Sequence, residues 1–213
     1  MKRKDGWTLV EMLAATSCSL VILAALGGFA RSQTRFLDRE TRRLELRETC
    51  RRVLEAITRE IRGAGYSPVT GTFDGLHDGL AVAARDHIEL RSDLHGTSAS
   101  DPPDGVLDTD SDERVGFLFN SSRGLVSETI GRQTLPLTVD FVIPVDGFEL
   151  HYFDACDTEA APASSALLTP EERARVRRVG VHLDVAQAGI GRVSGDAFST
   201  LRNREQLRCE TAE

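Results

Sequence analysis

Lysine is nearly missing from this chain: only Lys2 and Lys4 occur, both at the N-terminus, and every other cation is arginine. Proline does not appear before Pro68, so nothing in the first third of the sequence forbids one long helix. A basic excess is lacking as well. The 33 acids outnumber the 26 lysines and arginines and leave a net charge of −7. Nucleic-acid binding needs a basic face, so this balance argues against such a partner and suits a solvated extracytoplasmic domain. The histidines, His77, His87, His95, His151 and His182, show no metal-ligand spacing. No nucleophile elbow, phosphate loop or framed pair of acids is present either. The sequence is therefore not read as an enzyme, and no catalytic residue or cofactor is expected.

What is present begins with a short basic leader, Met1 to Asp5, that ends at Gly6. Trp7 to Ala30 follows with Glu11 as its one charged side chain, a run of about 24 residues and long enough to cross a bilayer as a helix. A secretory signal has an apolar core of about 7–15 residues and an A-x-A-like exit. This run is longer and leads into a charged helix without such an exit, so it reads as a retained anchor. Lys2, Arg3 and Lys4 hold the N-terminus in the cytoplasm and send the remainder outward.

Beyond Ala30 the composition turns abruptly to Arg and Glu with no stop signal, and the helix is expected to run on to about Arg62. Trp7 to Arg62 would form a rod of roughly 84 Å. Glu45 with Arg42, Glu48 with Arg52 and Glu55 with Arg59 stand at supporting helical spacings. Beneath the charges lies a stripe of Leu46, Cys50, Val53 or Leu54, Ile57 and Ile61, which should pack on a downstream element. Arg31 to Leu44 is sparser in apolar residues and is expected to stand clear. Gly27 and Gly28 each cost about 1 kcal/mol against Ala, so they are read either as a soft point or as a close helix–helix contact. Gly63-Ala64-Gly65, with Pro68 just after, should end the helix.

The rest reads as strands. Residues 69–84 form a loop with short extended pieces, His87 to Leu94 is a strand, and Gly96 to Glu113 is an acidic loop. Val115 to Asn120 and Leu125 to Ile130 form a hairpin through Ser121-Ser122-Arg123-Gly124. Leu137 to Ile143 is ambiguous, and Phe148 to Phe153 is a strand. Thr169-Pro170-Glu171-Glu172 opens a short helix. Val176 to Ala186 is the strongest strand and Phe198 to Arg202 the last. Strands after one N-terminal helix, without βαβ alternation, predict an α+β architecture with an antiparallel sheet packed on the helix.

The leader, Gly6, the aromatic Trp7, Glu11 and the apolar helix together resemble the type IV prepilin signal. The resemblance implies cleavage by prepilin peptidase between Gly6 and Trp7 and methylation of the new Trp7 amino terminus. Trp7 stands where the family usually has Phe, and Asp5 is an unusual acid before the Gly. A carboxylate within a membrane costs a few kcal/mol or more, so Glu11 reads as an assembly residue paired with a freed α-amino group of this or a neighbouring subunit. The alternative is that it reaches headgroup water. Arg59-Glu60-Ile61-Arg62-Gly63-Ala64-Gly65-Tyr66 resembles the helix end of PilW-like minor pilins and the related GspJ/PulJ pseudopilins. Ser199-Thr200-Leu201-Arg202-Asn203 resembles their closing strand.

On that resemblance the segments are a leader (1–6), a transmembrane helix (7–30), a periplasmic stem (31–62) and a sheet domain (63–213). The function implied is a minor pilin of a type IV pilus priming or tip complex, anchored in the bacterial inner membrane with its head in the periplasm. Its partners would be prepilin peptidase, other minor pilins, the major pilin and a tip adhesin, in a hetero-oligomer. The alternatives are a type II secretion pseudopilin of the GspJ kind, or an uncleaved membrane-tethered binding module or enzyme.

Two further features are left open. Asp108-x-Asp110-x-Asp112 resembles the opening of a calcium loop, but Glu113 stands where Gly is required and Phe119 where the bidentate Glu belongs, so a solvated acidic loop is the preferred reading. Of the four cysteines, Cys18 is a packing residue of the membrane helix and Cys50 lies on the stem stripe. Cys156 and Cys209 are the first candidate disulfide in an oxidising compartment. Cys50 with either of them is the other choice.

Overall fold

Helix α1 (Leu9–Gly63) is continuous for 55 residues in a computed structural model that describes residues 8–66, 79–96, 98, 100–106, 112–138, 141–160 and 167–201. The chain divides into two compact units, Met1–Leu44 and Glu45–Glu213. The helix ends where the sequence signals it. Gly65 takes φ +76°, a left-handed conformation that costs glycine least, and its amide donates to the Arg91 carbonyl at 2.7 Å.

In the second unit the expected stripe is buried: Leu46, Cys50, Val53, Leu54, Ile57 and Ile61, joined by Thr58. Thr58 fits there because its hydroxyl donates to the Leu54 carbonyl at 2.7 Å, leaving its methyl to the core.

The strands form two antiparallel sheets, where the sequence reading expected one. β1 (Leu80–Ala83), β2 (His87–Arg91), β3 (Arg114–Asn120), β4 (Leu125–Ile130) and β5 (Gln133–Pro136) pair in chain order as a meander. β6 (Phe148–Phe153), β7 (Arg178–Gln187) and β8 (Gly191–Thr200) make the second sheet, with α2 (Pro170–Arg175) between β6 and β7. The break falls between Pro136, where β5 ends, and Phe148, where β6 begins. Among the described residues of the ambiguous stretch Leu137 to Ile143, Val142 forms an isolated bridge, to Ala186. The architecture is therefore α+β, with one long helix and two antiparallel sheets.

Two edge strands depart from the sequence reading. β5 is exposed along its whole length and carries no apolar alternation to betray it. Its hairpin with β4 turns at Gly131, whose φ is +56°. β8 begins at Gly191 rather than near Phe198, because its first half alternates small and polar residues on an exposed edge. The β3–β4 hairpin, β6 and α2 stand where expected.

The three-stranded sheet closes directly on the second-unit part of α1. A Cβ added to Gly195 would lie 2.8 Å from Leu54 Cδ1 and 3.0 Å from Cys50 Sγ, so glycine permits the approach. Ser199 Oγ donates to the Thr58 carbonyl at 3.1 Å, and Cys50 Sγ donates to the Leu183 carbonyl at 3.6 Å. Tyr152, wholly buried, satisfies its hydroxyl by donating to the Ala84 carbonyl at 2.8 Å. Burial drives its phenol well above the ordinary range, with the Ala84 bond as a lesser opposing influence.

Candidate functional site

The first unit holds the residues on which the sequence reading placed assembly, and its geometry starts at Thr8. The Thr8 carbonyl accepts the first helical bond, from the Met12 amide at 3.2 Å. Glu11 Oε2 accepts from the Thr8 amide at 2.9 Å and from the Thr8 hydroxyl at 3.0 Å. The Glu11 amide donates back to the Thr8 hydroxyl at 3.4 Å. Thr8-Leu9-Val10-Glu11 is therefore a capping box, which satisfies amides that a helix start otherwise leaves without partners. The T-x-x-E spacing signals it in the sequence, where Glu11 is instead read as pairing with an α-amino group of this or a neighbouring subunit or as reaching for water. Glu11 Oε1 has no hydrogen-bond partner among the described residues. Gly6 and Trp7 lie outside those residues.

Past the cap, the apolar surface of α1 is turned outward. Leu9, Leu20, Leu23 and Phe29 are all more than half exposed. The polar side chains within this run satisfy themselves. Thr16 and Ser17 donate to the Leu13 carbonyl at 3.0 and 2.8 Å, and Ser19 donates to the Ala15 carbonyl at 2.8 Å. Such back-bonding removes the need for water along the helix. By length and composition α1 is the one helix among the described residues that could cross a membrane. Gly27 and Gly28 stay helical, and a Cβ added to either would meet nothing within 4 Å.

In the acidic loop, Asp108 and Asp110 lie outside the described residues. Asp112 Oδ1 pairs with His95 Nε2 at 2.6 Å. Glu113 is buried, and its Oε1 accepts from the amides of Leu94 and His95 at 2.9 and 3.0 Å. The His95 imidazole is raised above its ordinary pKa, first by its bond to the Gly96 carbonyl and then by Asp112. These contacts make Glu113 a loop organiser. Among the described residues no cluster of three or more His, Cys, Asp or Glu is arranged to hold a metal.

Two further histidines are clamped by carboxylates. His151 Nδ1 lies 2.6 Å from Glu159 Oε1, and His182 Nδ1 lies 2.6 Å from Asp196 Oδ1. Burial alone would depress His182, but the bond and charge of Asp196, with the charge of Asp184, raise it. Asp184 is itself anchored by Arg192. His77 lies outside the described residues.

Cys156 is disulfide-bonded, whereas Cys18 and Cys50 are free thiols. Cys50 is thus excluded as a disulfide partner, which removes the second of the two pairings considered, and Cys209 lies outside the described residues. The reason is positional: Cys50 Sγ is enclosed between α1, β7 and β8. Burial, then the charges of Asp184 and Asp196, push its thiol up to about 11.

No family model, no curated protein and no solved structure matches the chain. The geometry therefore stands by itself: α1 opens on a cap made by Thr8 and Glu11, exposes its apolar residues in the first unit and buries those of its last turns in the second.

Proposed function

We propose that this chain is a minor pilin, a structural subunit of a type IV pilus priming or tip complex. Its leader is cut between Gly6 and Trp7 by prepilin peptidase, and Trp7 is methylated. The first part of α1 anchors the subunit in the inner membrane, places the β-sheet head in the periplasm and then packs beside the helices of other minor pilins and the major pilin. A fold of the type IV pilin kind belongs to the same proposal. The observation that carries it is one uninterrupted helix, with the Gly6 to Glu11 signal at its start and an apolar surface that the chain itself leaves uncovered.

Glu11 then has two tasks. One oxygen, Oε2, completes the helix cap. Oε1 is left to take a neighbouring subunit's α-amino group, which relieves the cost of a carboxylate at membrane depth. The tasks separate experimentally by isolating the subunit from membranes with its pilin-like partners. Glu11→Ala should abolish co-isolation and fibre formation. Thr8→Ala, which weakens the cap by about 1 kcal/mol and keeps the carboxylate, should preserve both. Assembly that survives Glu11→Ala would overturn the proposal, and equal losses in the two variants would reduce Glu11 to a cap.

A further inference from the structure

The arginines of α1 fall into two classes. Arg51 pairs with Glu48 at 2.9 Å and Glu55 at 3.3 Å, Arg52 lies 3.8 Å from Glu48, and Arg59 lies 3.2 Å from Glu60. Arg42, Arg43 and Arg47 make no ion pair or hydrogen bond among the described residues, and neither do Arg31, Arg35 and Arg39, which are set apart by their position. Their spacing of four residues keeps them within about 80° of one helix face. With Gly28, Ser32 and Phe36 they line a single shallow cleft that contains no acid. Asp38 and Glu40 flank the cleft rather than enter it.

The position of this face selects its ligand. Met12 to Ala30 spans about 29 Å as a helix, close to the thickness of a bilayer's hydrocarbon core. Arg31 and Arg35 would follow within about 7.5 Å, the depth of a headgroup layer. Long side chains on a helix lean toward its N-terminus, so Arg35 and Arg39 reach back toward the apolar run. Guanidinium forks match phosphate oxygens geometrically, and these three are donors for which the helix supplies no acceptor. Phe36, 62% exposed beside them, suits the apolar side of the same boundary.

We infer that Arg31, Arg35 and Arg39 form a binding face for the phosphates of anionic phospholipid headgroups, fixing the depth and rotation of the helix before it leaves the bilayer. This inference rests on the membrane reading proposed above.

The test uses the full chain reconstituted in vesicles of phosphatidylcholine and phosphatidylglycerol, with the lipid retained around the protein counted after mild detergent extraction. The wild-type chain should retain phosphatidylglycerol above its share of the bilayer. Replacing Arg31, Arg35 and Arg39 together by Gln should lower that enrichment, by up to about fivefold for each arginine facing the headgroups. Replacing the paired Arg51, Arg52 and Arg59 by Gln should leave it unchanged, and far-UV circular dichroism checks that both variants keep their helix. Enrichment that survives the first set, or falls equally with the second, overturns the face. In vesicles that also hold the pilin-like partners, loss of their co-isolation with lipid retention unchanged would overturn the lipid face and assign it to an acidic protein surface. A chain stripped from the vesicles by alkaline carbonate defeats the membrane reading itself, whereas an inserted chain without lipid preference defeats only this inference.

Discussion

Leu23 and Ile57 lie on the same helix and have opposite fates: Leu23 is 64% exposed and Ile57 is wholly buried. Helix propensity cannot separate them, since both neighbourhoods are helical. What differs is the partner surface. From Leu46 onward the apolar residues keep to one stripe and find the sheets, while the charges on the other faces pair with one another. Between Leu9 and Ala30 the apolar residues occupy every face, and no single sheet could cover them. The first pattern completes a core, and the second requires an apolar surround on all sides.

The contrast is broken most forcefully at Ile57. Ile57→Ala should destabilise the head domain by about 2–5 kcal/mol in denaturant unfolding, whereas Leu23→Ala should alter it by less than about 0.5 kcal/mol. Equal effects would erase the distinction between the two parts of the helix. Glycines sharpen it next. Gly195→Ala drives a Cβ against Leu54 and Cys50 and should cost about 1–3 kcal/mol of domain stability. Gly28→Ala meets nothing within 4 Å and should gain about 1 kcal/mol of helix stability, read as a higher melting temperature of the helical signal in detergent.

The caps supply a smaller effect. Thr169→Ala should cost about 1 kcal/mol at most, confined to α2 and visible as faster local amide exchange. The gentlest effect is at alkaline pH. An unfolded Cys50 ionises near its ordinary 9.0, while the buried thiol holds its proton up to about 11. Between those values the unfolded state has released a proton that the folded state keeps, so stability should decline as pH rises through the window and then level off. Cys50→Ala should flatten that part of the profile, and an unchanged slope would show that the thiol is not the group responsible.

Much of this was legible in the residues. The stripe from Leu46 to Ile61, the stop at Gly63 to Gly65, the β3–β4 hairpin and β6 each carry a periodicity or turn signal that local physics enforces. β5 and the first half of β8 do not, because edge strands bury little and so need no apolar alternation. The division into two sheets was hidden for a related reason: it depends on which strands pair, β1 to β5 in one set and β6 to β8 in the other, which periodicity does not record. At the candidate site, Glu11 was noticed for its charge within an apolar run. Its T-x-x-E spacing with Thr8 marks a cap just as Thr169-x-x-Glu172 does at the start of α2. Four hydrogen-bonding atoms at a helix start are as local as a motif can be, and only the expectation of a distant partner obscured them.

The most direct test is the mass of the N-terminal peptide from the chain extracted from the inner membrane of a cell that carries prepilin peptidase. The account predicts a peptide beginning at methylated Trp7 with the leader gone. A peptide beginning at Met1, in a chain that nevertheless assembles with pilin-like partners, would contradict it.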